Sequence, residues 1–209
     1  MFDLDGTLVD VRERHYRTYQ ATVAAFQGRP LDPAGYWRLK RRGLGWARLL
    51  DRSGLPAGLE DAFLERFVAR IEDPEALGLD RLFPGVPGML AALGRRGDRL
   101  VLVSLRRSAA GFRRQLADLG IAAAFELACA GHAHASGHLD KIDLIRLAGC
   151  GPPAAVVGDT EADVLAAHAL GLRAIGVASG LRSRGYLERA GAEVVLARVT
   201  QLPAALAAR

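Results

Sequence analysis

From residue 100 onward the chain alternates short, almost continuously apolar runs with segments of helical period. The runs read "LVLVS", "FELAC", "AAVVGD", "RAIGVA" and "AEVVL"; the helical patterns cover Ser108 to Leu119, a stretch opening near Lys141, Glu161 to Leu170 and Ser183 to Ala190. Strands alternating with helices predict a doubly wound, Rossmann-like parallel sheet of the α/β class. Runs without polar alternation mean that both faces of this sheet are covered. Ligands of such sheets sit beyond the carboxyl ends of the strands, and Ser104 and Asp159 each close a run, so both are expected on that edge.

Residues 11 to 80 break the alternation. The patterns "RERHYRTYQATVAAF", "GYWRLK", "WARLLDRS" and "LEDAFLERFVARI" follow one another with no β-rich run between them. An all-helical insert, a cap placed after the first strand, is therefore expected over 11–80, with the α/β core built from 1–10 and 81–209. Gly and Pro in "LFPGVPG" mark the return to the core, and the Ala-rich tail "LPAALAAR" is expected to fray.

Composition narrows the class. At 209 residues and 50% apolar, the chain can fill one good-sized core with a smaller insert. No run of about 18 apolar residues and no basic-then-apolar leader occurs, so neither a membrane span nor a secretory signal is supported, and a cytoplasmic location is expected. Cys129 and Cys150, the two cysteines, are too few for a disulfide framework or a thiolate zinc site. The formal charge of +5 would suit nucleic acid or phosphorylated metabolites. The arginines, however, are scattered beside acids with few aromatics interleaved, which speaks against a nucleic-acid platform. The pattern specifies no oligomeric state.

The chemistry concentrates in two motifs. In "MFDLDGT", Asp3 and Asp5 stand two apart at the end of a strand, and a period of two points them the same way. Two carboxylates can divide the work, one ionised as a nucleophile beside a cation, the other cycling as acid and base. Gly6 permits a sharp turn and Thr7 offers a hydroxyl; read alone, the stretch also fits a turn with a capping Asp. In "VVGDTEADV", Asp159 ends a buried strand, Thr160 can cap the following helix, and Asp163 lies four residues on. Carboxylates gathered at strand ends suit a hard, oxygen-seeking cation such as Mg2+. The plainer alternative is acids favoured by a helix dipole. Lys141 is informative because Lys40 is the chain's one other lysine, and a compact ammonium fits where a planar guanidinium would not.

Taken together, "DLDGT", a strand ending in Ser104, Lys141 and "GDTEAD" resemble, in order, the four motifs of the haloacid dehalogenase superfamily of phosphohydrolases, over nearly the whole chain. The resemblance implies Asp3 as the nucleophile that takes the phosphoryl group and Asp5 as the acid that protonates the leaving oxygen and later activates water. It implies Ser104, Lys141 and Thr7 around the phosphate, and Mg2+ held by Asp3, the Asp5 backbone carbonyl and Asp159, with Asp163 in support. An all-helical insert after the first motif resembles members with a small helical cap. Asp5 disfavours dehalogenases and phosphonoacetaldehyde hydrolases, which lack that acid. "GDTEAD" is similar to phosphoglycolate phosphatases, whereas the phosphoglucomutase branch carries a Glu-Asp pair at the metal position. The implied activity is Mg2+-dependent hydrolysis of a small phosphorylated metabolite, 2-phosphoglycolate first among them. A β-phosphoglucomutase-like phosphotransferase is the alternative.

Other residues carry weaker signals. His15 stands on the first cap helix, where some mutases place a functional histidine. Lys40, Arg41 and Arg42 could close over an anionic substrate or simply form a solvated face. His132, His134 and His138 in "GHAHASGH" lack a fixed acid or Cys partner and read as a loop rather than a metal site. With only Met1 and Phe2 before Asp3, the first strand is expected to be short and poorly paired, from a start placed too late, with lowered stability and activity. In the extreme the chain would be a noncatalytic binding protein.

Overall fold

The computed structural model describes residues 1–131, 137–147 and 155–207. Two compact units emerge, Met1–Asp10 with Arg81–Arg209 and Val11–Asp80.

The first unit is built on parallel strands β3 (Val101–Leu105), β4 (Leu127–Gly131), β5 (Ala155–Gly158), β6 (Arg173–Val177) and β7 (Val194–Leu196), with a two-stranded antiparallel ribbon of β1 (Val9–Asp10) and β2 (Arg81–Leu82). The strands form two ladders, β3 with β4 and β5–β6–β7. The segment Met1–Asp3 joins them, since Phe2 pairs in parallel with both Leu102 and Val157. Its backbone bonds run from Phe2 N to Val101 O at 2.8 Å and Val103 N to Phe2 O at 2.9 Å on one side, and from Asp3 N to Val157 O and Val157 N to Met1 O, both 2.9 Å, on the other. The Met1 ammonium donates to Ala155 O at 2.9 Å. The strand order reverses at this segment, which makes its carboxyl end the topological switch point where α/β sheets bind ligands.

Helices α6 (Val86–Arg95), α7 (Ala109–Asp118), α8 (Gly137–Leu147), α9 (Glu161–Ala169), α10 (Arg184–Arg189) and α11 (Leu202–Ala207) complete this unit. Val101, Val103 and Val156 from the strands pack with Ile142 and Ile145 of α8 and Val164 of α9. Helix α6 follows the Gly-Pro punctuation and was not foreseen, although Val86, Met89, Leu90 and Leu93 bury one face. The fourth strand begins two residues later than "FELAC" suggests, because Ala122–Ala124 take a 3-10 turn and the paired register starts at Leu127. The tail, expected to fray, is helical over Leu202–Ala207 and buries Leu202.

The second unit holds α1 (Arg12–Ala25), α2 (Pro33–Arg41), α3 (Trp46–Arg52), α4 (Glu60–Ile71) and α5 (Pro74–Leu77) and no strand among its residues. Asp32 caps α2 by accepting from Gly35 N at 2.8 Å. The core is aromatic: Tyr19 stacks on Tyr36 with ring centres 4.4 Å apart, and Phe63 and Phe67 pack beside them. The Tyr19 hydroxyl, fully buried, is matched by Ser53 Oγ at 2.7 Å and receives Leu31 N at 3.0 Å. Arg14 is also buried; its Nε donates to Asp80 Oδ1 at 3.0 Å and its Nη1 to Ile71 O at 3.2 Å.

Candidate active site

The register of the central segment fixes the geometry. With Phe2 opposite Leu102 and Val157, Asp3 sits level with Val103 and Gly158, one residue before Ser104 and Asp159 on the neighbouring strands. All three side chains are buried. After Asp3 the chain turns at once: Leu8 N and Val9 N both bond Leu4 O, and Gly6 takes φ of +77°. Any Cβ at Gly6 would run into the Asp159 carboxylate, so glycine is what lets the two motifs close on each other. A Cβ at Gly180 would meet the same Asp159 carboxylate oxygen.

Lys141, on the first turns of α8, donates to Asp3 Oδ1 at 2.7 Å and also to Asp163 Oδ1. Asp163 reaches back over the start of α9, where its Oδ2 accepts from Thr160 N at 3.1 Å and Thr160 Oγ1 at 2.8 Å. Asp159 accepts from Thr7 Oγ1 at 3.3 Å and from Leu181 N at 2.6 Å. The carboxylates of Asp3, Asp159 and Asp163 each offer an oxygen within 4.8 Å of the others.

Three buried carboxylates around one ammonium leave an excess of negative charge. Burial, joined by the charges of Asp163 and Asp5, pushes the Asp3 carboxyl up to about 7 even though Lys141 pulls it down. Asp159 is raised well above the usual carboxylate range by burial and then by Asp3 and Asp163. Burial works against the Lys141 ammonium, but the carboxylates of Asp163 and Asp3 more than offset it and raise its affinity for the proton. The donor set is therefore all oxygen, convergent and short of positive charge, which fits a hard divalent cation.

Asp5 is less buried than its neighbours and accepts from Arg106 Nη2 at 2.6 Å. Among the described residues, Thr7 reaches the cluster through Asp159. In the helical unit, His15 lies against Trp37 and Phe67, with ring centres 6.1 and 6.2 Å away. Lys40 stands 4.5 Å from the Trp46 ring centre. Arg41 is half-buried, whereas Arg42 is exposed and lines a cavity of about 350 Å³ with Leu39, Leu44, Arg48, Asp51 and Arg52. His132 and His134 lie outside the described residues, as does the side chain of His138. Three contributors were missed from the sequence: Arg106, Gln115 and the Leu181 backbone amide. Arg106 did carry a signal, standing two residues beyond Ser104 on the ligand edge.

A family model for haloacid dehalogenase-like hydrolase matches residues 1–171. The chain belongs to that family. It is 30% identical to the phosphoglycolate phosphatase of Synechococcus elongatus over 190 residues, covering 90% of this chain and 86% of the relative. It is 31% identical to phosphoglycolate phosphatase 1 of Pseudomonas aeruginosa over 194 residues, covering 86% and 69%. A haloacid dehalogenase-like family hydrolase from Streptococcus pneumoniae has the same fold, with a TM-score of 0.77 at 18% identity over 98% of this chain and 96% of that one. The protein is thus a hydrolase with a Rossmann-like α/β core, and its curated relatives are phosphatases.

Proposed function

We propose that the protein is a Mg2+-dependent phosphatase of small phosphorylated metabolites in the cytoplasm, with 2-phosphoglycolate as the first substrate to try. The observation that carries this reading is the buried cluster of Asp3, Asp159 and Asp163 around Lys141 at the switch point of the sheet. The relatives' names favour the particular ester. Asp3, the Asp5 backbone carbonyl and Asp159 would hold the cation, with Asp163 in support. When bound, Mg2+ supplies the missing positive charge and draws density from the phosphoryl oxygens.

The chain's own groups divide the remaining work. The Asp3 carboxylate attacks phosphorus; as the new O–P bond forms, the bond to the ester oxygen breaks and the Asp5 carboxyl gives that oxygen its proton. The Asp5 carboxylate then takes a proton from water, whose oxygen attacks the aspartyl-phosphate. The Asp3–phosphorus bond breaks, releasing inorganic phosphate and restoring both acids. Ser104, Lys141 and Thr7 stabilise the charge that spreads over the phosphoryl oxygens. The helical unit acts as the cap that selects the ester, with His15, Lys40, Arg41 and Arg42 as its candidate contacts.

The test is a panel of phosphate esters with and without Mg2+. Release of inorganic phosphate only with Mg2+, fastest from 2-phosphoglycolate, is expected. Transfer of phosphate to a sugar phosphate would instead identify a phosphotransferase, and binding of an ester without turnover would leave a binding protein.

A further inference from the structure

Arg106 is 3% exposed and sits one residue past the end of β3, where its backbone N–H donates to Gly131 O at 2.6 Å and anchors the chain to the end of β4. Its side chain turns toward the catalytic edge. Nη2 donates to Asp5 Oδ1 at 2.6 Å and to Gln115 Oε1 at 2.8 Å. Gln115, itself buried, projects from α7, whose start is fixed by the Ser108 hydroxyl accepting from Gly111 N at 3.0 Å. The brace thus runs from a capped helix through an amide and a guanidinium to the Asp5 carboxylate. Arg106 Nε is buried with no hydrogen-bond partner among the described residues. A guanidinium retained only for stability would be expected to match its fork to a carboxylate, since an unmet buried donor is destabilising. This one shares Nη2 between two acceptors and leaves Nε unmet.

We propose that Arg106, braced by Gln115, is a positioning residue that aims the Asp5 carboxylate at the ester oxygen and then at the attacking water. Asp5 stands just after Asp3 and is only partly buried, and proton transfer needs the acid within hydrogen-bond reach of its target. Small errors of aim are costly; a displacement of about 1 Å can lower a rate about a hundredfold. This inference rests on the phosphatase reading and extends it to a residue outside the motifs.

The test uses the full chain with Mg2+, and both 2-phosphoglycolate and p-nitrophenyl phosphate as substrates. Arg106→Ala should lower kcat for 2-phosphoglycolate at least about a hundredfold, leave KM within about threefold, and recover at least tenfold in Arg106→Lys. Because p-nitrophenolate leaves without a proton, Arg106→Ala should still show a rapid first release of about one equivalent per site, followed by slow turnover. Merely losing folded enzyme would shrink that first release. In an Asp5→Asn background, Arg106→Ala should add no further loss, since both act through one group. Gln115→Leu, which leaves the ion pair in place, should give a smaller fall in kcat and keeps the test available if Arg106→Ala does not fold. An active wild type with Arg106→Ala and Gln115→Leu at wild-type kcat, or losses that add to Asp5→Asn, would overturn this proposal alone. A wild type that turns over no phosphate ester would overturn the phosphatase reading and this proposal with it.

Discussion

The helical unit buries one guanidinium against one carboxylate, Arg14 against Asp80, whereas the ligand edge of the sheet buries three carboxylates around one ammonium. The first arrangement is balanced: Arg14 also meets the Ile71 carbonyl, and both side chains are almost wholly out of solvent. The second is not balanced, and burial, reinforced by the neighbouring carboxylates, makes its acids resist ionisation. Burial alone does not separate a structural charge from a functional one, since both regions have it. What separates them is whether the protein's own groups complete the pairing. A balanced pair can hold its unit together, while an unbalanced cluster offers its oxygens to a charge from outside.

The largest effect should come from neutralising the cluster at its proposed nucleophile. Asp3→Asn keeps the shape and removes the attacking carboxylate, so turnover should fall by about ten-thousandfold or more, measured as phosphate release, with folding retained. Normal turnover in that variant would end the comparison as drawn. The mirror experiment is Asp80→Asn. There the loss removes the carboxylate charge that faces a buried guanidinium, and breaking such a pair costs about 3 to 5 kcal/mol, to be read from denaturant unfolding. If Asp80→Asn proved neutral in stability, the balanced pair would not be the structural element described.

The two regions also differ in how far the sequence discloses them. Asp3, Asp159, Asp163 and Lys141 were legible because each stands at a strand end or helix start, where period and punctuation place a side chain to within a turn. Arg14, Asp80, Arg106 and Gln115 were not, because each is defined by a partner: Asp80 lies 66 residues from Arg14, and Asp5 lies 101 from Arg106. Element type survived this limit better than element edges. The ribbon of Val9–Asp10 with Arg81–Leu82 is too short to show a period, and α6 hid behind "LFPGVPG" although its apolar spacing was present.

A third variant sharpens the claim that the cluster awaits a cation. Asp159→Asn removes one anionic oxygen from the set, so the Mg2+ needed for half-maximal activity should rise about 10- to 100-fold while the rate at saturating Mg2+ falls less. An unchanged metal titration would mean that Asp159 serves only the Thr7 and Leu181 contacts.

Acidity gives a gentler probe of the same imbalance. A carboxyl held at about 7 in the folded protein, against 3.8 as its ordinary value, binds its proton more tightly folded than unfolded. The contribution is therefore fully present below about pH 4 and lost as pH rises through about 7. In chelator, the melting temperature of the wild type should drop by several degrees between pH 5 and pH 8, and Mg2+ at pH 8 should restore it. Asp3→Asn should flatten the slope; an equal slope in both proteins would assign the pH dependence to other groups.

The smallest expected effect tests whether the helical unit's basic residues serve the unit or the substrate. Lys40 lies over Trp46, a contact worth about 0.5 to 1 kcal/mol near a surface, and Trp46 in turn packs at 4.9 Å from Phe67 in the aromatic core. Lys40→Met keeps most of the aliphatic stem and removes the charge. If Lys40 belongs to the balanced, structural class, unfolding free energy should drop by no more than that amount and KM for 2-phosphoglycolate should stay within about twofold. If it reads the substrate's anion, stability should barely move and KM should rise about tenfold or more, with the shift shrinking at high salt as screening weakens charge attraction. Either result places Lys40 on one side of the division between paired and waiting charge, and a rise in KM would extend the unbalanced class from the sheet edge into the cap.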